Sequence, residues 1–416
     1  MITFTELYQT LMADAVAGSN TEELEKRYKD QYDSNQLDCL LHPQKHGYVW
    51  RTGDCTCSPE DQNTCINICS FDAIHENKTG QIEINAEQCI GCSLCIDHCK
   101  SEKLTTSRDI IPALEALHSN KGLSYALVAP AFLGQFSNEV TPGKLRNALK
   151  KMGFDGMIEV SLLADILTLK EALEFNHNIN NETDFQLASC CCPIWIAMIR
   201  KIYHDLLPHV PGAVSPMIAA GRTVKHLHPD ALTVFIGPCI AKKAEAKEPD
   251  LVGAVDFVLT FQEVNDIFEV MDINPAKMQE SDKDHSSRAG RIYARTGGVS
   301  EAVRETVKRI DPNHTISIRT QQADGASACK GMINELLAGN TNANFFEGMG
   351  CAGGCVGGPK AIIDRNAGSE NVNQYGDEAT YKTPIDNPYV VELLHRLGFD
   401  TIESLLEDSE IFTRHF

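Results

Sequence analysis

The chain has 416 residues, 43% of them hydrophobic and 23% charged, enough for two or three domains with a sizeable core. A formal charge of −20 argues against a general nucleic-acid binder, because attraction to phosphate needs a surplus of Lys and Arg. No apolar run is long enough for a membrane span, and the start "MITFTELYQTLMADAVAG" lacks the basic and apolar regions of a signal peptide. A cytoplasmic protein without membrane association is expected, and in a reducing compartment sixteen cysteines point to metal rather than to disulfides.

Residues 1–50 read as a helical segment, and the cysteines begin to gather beyond it, in residues 51–105. The run "CIGCSLCIDHCK" sets Cys89, Cys92 and Cys95 at CxxCxxC spacing, with Cys99 three residues further on. Such spacing wraps a short loop around a [4Fe–4S] cubane, and the fourth cysteine crosses to a partner cluster. The proline that usually follows is Lys100. The preceding "CTCSPEDQNTCINICSFDAI" is looser, with Cys55, Cys57, Cys65 and Cys69, and with Ser70 where ferredoxins carry proline. The expected sets are Cys55, Cys57, Cys65 and Cys99 for one cluster and Cys69, Cys89, Cys92 and Cys95 for the other. Cys39, in "LDCLLHP", is the rival ligand for the first set and is read as structural. A paired-cluster module moves single electrons, so residues 106–416 must hold what uses them.

From Ser107 onward apolar runs alternate with amphipathic ones. "LSYALVAPAF", "FDGMIEVS", "ALTVFIGPC" and "DFVLTF" predict buried strands; "TPGKLRNALKKMG", "PIWIAMIRKIYHDLLP" and "VSEAVRETVKRI" predict helices. An α/β fold with mostly parallel sheets follows, with sites where strands end and helices begin. Three cysteine loops fall at such junctions. "ASCCCPIW" places Cys190, Cys191 and Cys192 before Pro193, a good first residue for a helix. "FIGPCIAKKAEAKE" places Cys239 before Lys242 and Lys243, and "FFEGMGCAGGCVGGPKAIID" places Cys351 and Cys355 among glycines that let the backbone approach something bulky.

Together these loops resemble the three signature segments of [FeFe]-hydrogenases, TSCCPxW-like, MPCxxKxxE and ExMxCxxGCxxGGGxP. "VAPAF" near Pro130, "VLTFQE" near Thr260 and "ARTGGVSEAV" around Gly297 add to the likeness, which runs from about Ser124 to the C-terminus. The three-cysteine first motif is similar to that of one subgroup. The resemblance implies an α+β ferredoxin-like domain with two [4Fe–4S] clusters, followed by an α/β two-lobed H-cluster domain. It also implies the H-cluster itself, a [4Fe–4S] cubane joined to a two-iron unit carrying CO, cyanide and azadithiolate. By position Cys192, Cys239, Cys351 and Cys355 would ligate the cubane, Cys355 bridging to the two-iron unit. Lys242 would hold a cyanide ligand, Met349 would pack on the cluster, and Pro130 and Ser215 would line the pocket. Cys191 matches the proton-donating cysteine, and Glu171 and Glu174, at i, i+3 on a helical face, match the glutamates of the proton path.

Three departures stand out. The relay serine between the two glutamates aligns with Pro211, which has no side-chain donor; the second motif's methionine is Gly237; a glutamine after Ser215 is Met217. Cys190 has no role by resemblance. It reads as a small buried residue, or as one that loosens the loop so that Cys191 can swing onto the open iron. The implied activity is reversible interconversion of protons, electrons and H2, with ferredoxin or flavodoxin as electron partner and hydrogenase maturation proteins as assembly partners. The alternatives are a non-catalytic hydrogenase-like iron–sulfur assembly protein, which needs none of Cys191, Lys242, Glu171 or Glu174, and a hydrogen sensor, disfavoured because no signalling domain follows "LLEDSEIFTRHF".

Overall fold

The computed structural model describes residues 3–281 and 285–416. Three helices open the chain, Phe4–Val16, Thr21–Tyr28 and Ser34–Leu41. Thr3, Asn20 and Asp33 accept hydrogen bonds from their first free N–H groups, and Glu6 and Glu23 complete capping boxes on the first two. Their apolar faces, with Leu7, Leu11, Leu24 and Leu40, join the core that also holds the helix Ile110–Ser119. Residues 1–50 therefore dock on the large body and share its core.

The cysteine-rich segment is built on strands of three residues, β1 (Val49–Arg51), β2 (Ile74–Glu76), β3 (Ile82–Ile84) and β4 (Leu104–Thr106). β1 pairs antiparallel with β4, Val49 opposite Thr106, and β2 with β3, Ile74 opposite Ile84. Apart from cysteines, its core consists of Val49, Ile74, Ile82 and Leu104. So small an apolar centre does not hold a domain without cross-links or metal.

The large body contains β5 (Ser124–Val128), β6 (Gly156–Glu159), β7 (Gln186–Leu187), β8 (Leu232–Gly237), β9 (Phe257–Thr260), β10 (Thr320–Asp324) and β11 (Phe345–Met349). A four-stranded sheet runs β6-β5-β8-β9 and a three-stranded one β10-β11-β7, with every pair parallel. Parallel neighbours need crossover connections, which accounts for the alternation read in the sequence. The helix Ser161–Asn178 packs on the helix Gly298–Ile310, on the short helix Arg288–Arg291 and on the helix Pro216–Leu227. With elements on several sides it is buried almost all round. Asp165 anchors it, accepting from the backbone N–H groups of Ser287 at 2.6 Å and Gly290 at 2.8 Å.

Prolines shorten two predicted elements. The strand expected through Phe132 ends at Val128, and Pro130 starts a 3₁₀ turn, Pro130–Phe132. The helix beginning at Pro193 stops at Ile202, and a 3₁₀ stretch, His204–His209, takes up Pro208. Neither β10 nor β11 is among the predicted strands.

Candidate metal centre

All three cysteine loops leave the carboxyl ends of parallel strands: β7 leads to Cys190–Cys192, β8 to Cys239, and β11 to Cys351 and Cys355. The first loop turns at Ser189, whose φ of 70° is left-handed and unusual for a residue with a side chain. Cys192 is the N-cap residue of the helix Pro193–Ile202, and the Trp195 indole N–H donates to the Ala188 carbonyl at 2.8 Å, tying the loop down. The third loop approaches closely: a Cβ at Gly350 would lie 2.4 Å from the Ile194 Cβ. In the fold, the bulky group met by that glycine is protein.

This approach lets the Gly350 N–H donate to the Cys192 sulfur at 3.2 Å. Cys192, Cys239, Cys351 and Cys355 are brought together from three loops. Burial pushes the Cys239 thiol up to about 11, and the neighbouring Cys192 charge adds to it. Burial likewise pushes Cys355 up to about 12, with Cys192 and Cys239 adding. Cys351 is driven well above the thiol range by burial, then by Cys239, Cys192 and Cys355. Four sulfurs whose anions repel one another in a buried place suit cationic iron, which ionises its thiol ligands outright. Among the described residues no three Cys, His, Asp or Glu side chains close on a single metal ion. A zinc tetrahedron needs such closure, whereas a cubane's thiolates each reach a different corner. The donor set fits a cluster of the iron–sulfur kind.

Beside the thiols lies an apolar chamber walled by Pro130, Pro216, Met217, Phe235, Tyr293 and others, with Cys191, Cys239, Cys355 and Lys242 facing it. Cys191 is buried, and burial, followed by the charges of Cys190 and Cys355, holds its thiol neutral. The Lys242 ammonium contacts Glu245 Oε2 at 2.6 Å, both side chains buried. An ammonium has three N–H donors, so this bond leaves two for another acceptor. Pro130 is on the wall of this chamber. Ser215 is not on the chamber wall: its hydroxyl accepts from the Ile218 N–H and caps the helix Pro216–Leu227. Met349 is buried in the core around Trp195, also off the wall.

Glu171 and Glu174 lie on the buried side of the helix Ser161–Asn178. Burial raises the Glu171 carboxyl to about 8, and Glu174 pushes it the same way. Glu174 is raised by burial, against the pull of Lys170, whose Nζ lies 3.2 Å from Glu174 Oε1 and also donates to the Leu405 carbonyl at 2.8 Å. Glu171 Oε2 and Glu174 Oε2 are buried without a hydrogen-bond partner. Such atoms are normally met by water, and two of them one helical turn apart mark a place for it.

The cysteines of residues 51–105 influence one another in two sets. Burial raises Cys65, with Cys99, Cys57 and Cys55 adding; burial raises Cys95, with Cys92, Cys89 and Cys69 adding. At Cys99 burial is outweighed by the Ser101 hydroxyl and by backbone N–H groups of Leu104, Lys103 and Ser101, and the thiol falls below its ordinary range. The Ala73 N–H donates to the Cys69 sulfur at 3.3 Å. Cys92 lies close enough to Cys351 to affect it, which puts the second group nearer the large body's thiols. Cys39 stands apart in the helix Ser34–Leu41, in the same core as Leu37 and Trp50. Sequence reasoning missed Tyr293, whose hydroxyl lies 2.9 Å from Thr168 Oγ1 beside the chamber, and Lys170, immediately before Glu171. An apolar helix interrupted by Lys-Glu was the available signal for Lys170; Tyr293 gave none.

The sequence profile of the family described as "Iron only hydrogenase large subunit, C-terminal domain" matches residues 123–359. Iron hydrogenase 1 of Clostridium pasteurianum is 29% identical over 278 residues, covering 56% of this chain and 47% of that protein. The chain thus spans about half the length of that relative. The periplasmic [Fe] hydrogenase large subunit of Nitratidesulfovibrio vulgaris is 27% identical, covering 68% of this chain and 86% of its own. A probable cytosolic Fe-S cluster assembly factor of Drosophila ananassae is 23% identical over 68% of this chain and 73% of its own. Among solved structures, a variant of [FeFe]-hydrogenase HydA1 from Chlamydomonas reinhardtii shares the fold, with a TM-score of 0.60 at 23% identity, over 74% of this chain and 98% of that one. With the profile matched over more than half its length and the motif cysteines gathered at one buried centre, the chain belongs to the iron-only, or [FeFe], hydrogenase large-subunit family.

Proposed function

We propose that this chain is an [FeFe]-hydrogenase that interconverts protons, electrons and H2. The observation that carries the reading is the chamber beside the thiol cage. Cys191 and Lys242 both face it, and a holder of a simple cubane uses neither. Cys192, Cys239, Cys351 and Cys355 would hold the cubane, and the chamber would hold the two-iron unit. When bound, that group supplies the redox chemistry of hydrogen.

The protein's own part is proton delivery, electron delivery and exclusion of water. Lys242, already buried beside Glu245, offers its remaining N–H groups to an anionic ligand as charge-assisted hydrogen bonds. Cys191 is a neutral thiol at the chamber wall and suits the last proton-exchanging group. Glu171, held protonated across most of the neutral range, carries the proton behind it. At Pro211 the hydroxyl step is absent, and the orphaned oxygens of Glu171 and Glu174 favour water in its place. The apolar wall strengthens each of these interactions by lowering the local dielectric.

Residues 51–105 would carry two [4Fe–4S] clusters, with the Cys69, Cys89, Cys92 and Cys95 cluster on the inner side toward Cys351. Electrons would come from ferredoxin or flavodoxin, and maturation proteins would deliver the two-iron unit. An acidic carrier must meet a local basic patch, because the chain as a whole carries −20. The likeness to a probable Fe-S cluster assembly factor supports a second reading, a non-catalytic iron–sulfur protein. Hydrogen evolution by the matured protein separates the two. Turnover that falls on Cys191→Ala is the expected result; no turnover with the two-iron unit bound contradicts the enzyme reading.

A further inference from the structure

Cys190 has no part in the reading above, yet it is not idle packing. Its two neighbours, Cys191 and Cys192, belong to the apolar cluster around Trp195. Cys190 belongs to the opposite one, with Leu167, Val214 and Met217. The left-handed turn at Ser189 accompanies this parting of the side chains. The Cys190 thiol lies 3.4 Å from Glu171 Oε1 and 3.4 Å from the Val214 carbonyl, and it is 4% exposed.

The single S–H thus sits between two acceptors from different segments. Glu171 lies on the buried helix Ser161–Asn178, and Val214 lies three residues after Pro211. The thiol is the Glu171 carboxyl's hydrogen-bond partner on Oε1, while Oε2 is buried with none. A thiol is a weak donor in solution, but a buried acceptor in a low dielectric strengthens the bond.

We propose that Cys190 is a positioning residue for Glu171: its S–H donates to Oε1, so the carboxyl proton resides on Oε2, the oxygen left free to exchange it. The inference rests on the hydrogenase reading for its consequence in turnover, but not for its geometry.

The test uses the full chain with its iron–sulfur clusters, with and without the two-iron unit. The thiol S–H stretch absorbs where other protein groups do not, and the difference between wild type and Cys190→Ser isolates the Cys190 band. The expected band sits on the hydrogen-bonded side of a free thiol and moves in Glu171→Gln and when Glu171 titrates. Turnover should fall about tenfold in Cys190→Ala, the equivalent of one buried hydrogen bond, and stay within about threefold of wild type in Cys190→Ser. A band that ignores both Glu171→Gln and the titration overturns the proposal, whatever the activity. So does full turnover in Cys190→Ala. A band that follows Glu171 in a loaded protein without turnover upholds the positioning and refutes the enzyme reading. If Cys190→Ala does not fold, the Glu171→Gln and Cys190→Ser spectra still decide.

Discussion

Replacing Glu171 with Gln keeps the side chain's volume and removes its ionisation. In the native chain burial, with Glu174 and Glu347 adding, holds that carboxyl at about 8 against an ordinary 4.5. Tyr293 and the Cys190 thiol also face it, and Lys170 reaches it only through Glu174. At 1.36 kcal/mol per pH unit, the difference corresponds to roughly 5 kcal/mol against ionising this group in the folded state. The sign follows from proton counts. Between about pH 4.5 and 8 the unfolded chain has lost this proton and the folded chain has kept it, so stability falls as pH rises through that window. Infrared difference spectra of wild type against Glu171→Gln should isolate a protonated-carboxyl band that persists to about pH 8. Turnover of the variant should drop by about 10²–10⁴-fold, the range for losing a proton-transferring group. A band that vanishes with a midpoint near 4.5 would refute the reasoning, since the carboxyl would then be solvated or paired.

Cys57→Ser should lose iron from one cluster of residues 51–105, whereas Cys39→Ala should keep all of it and cost about 1 kcal/mol of stability as a small core truncation; iron analysis and thermal unfolding decide between them. Gly350→Ala puts a Cβ 2.4 Å from the Ile194 Cβ and should cost about 1–3 kcal/mol, with cubane absorbance falling as the Gly350 N–H leaves the Cys192 sulfur. Lys242→Met leaves Glu245 buried without its counter-ion and should cost about 3–5 kcal/mol, read from the unfolding midpoint. Adding Glu245→Gln should recover that stability without restoring retention of the two-iron unit, which infrared spectra report.

The cysteine spacing made the donors legible before the fold was known, because a cubane demands thiols at set intervals whatever surrounds them. The parallel sheets were legible too, since strands buried on both faces read as unbroken apolar runs, as in β5, β8 and β9. β10 escaped because "TQQAD" is polar and half-exposed, and β11 because "FFEGM" merges into a glycine loop. What Cys190 does was beyond the sequence: the direction of its thiol depends on the turn at Ser189 and on Val214, far along the chain. The Lys170 contact to Leu405 spans an even longer separation. The cap made by Ser215 and the core place of Met349 beside Cys191 and Cys192 likewise depend on the fold.

The central claim is that the thiol cage and the chamber beside it hold a two-iron unit as well as a cubane. The infrared spectrum of the matured protein tests it most directly, because no amino acid absorbs where metal-bound CO and cyanide do. CO and cyanide bands are expected in the wild type, lost in Cys355→Ser and weakened in Lys242→Met. A matured protein with full cubane iron and none of those bands would contradict it.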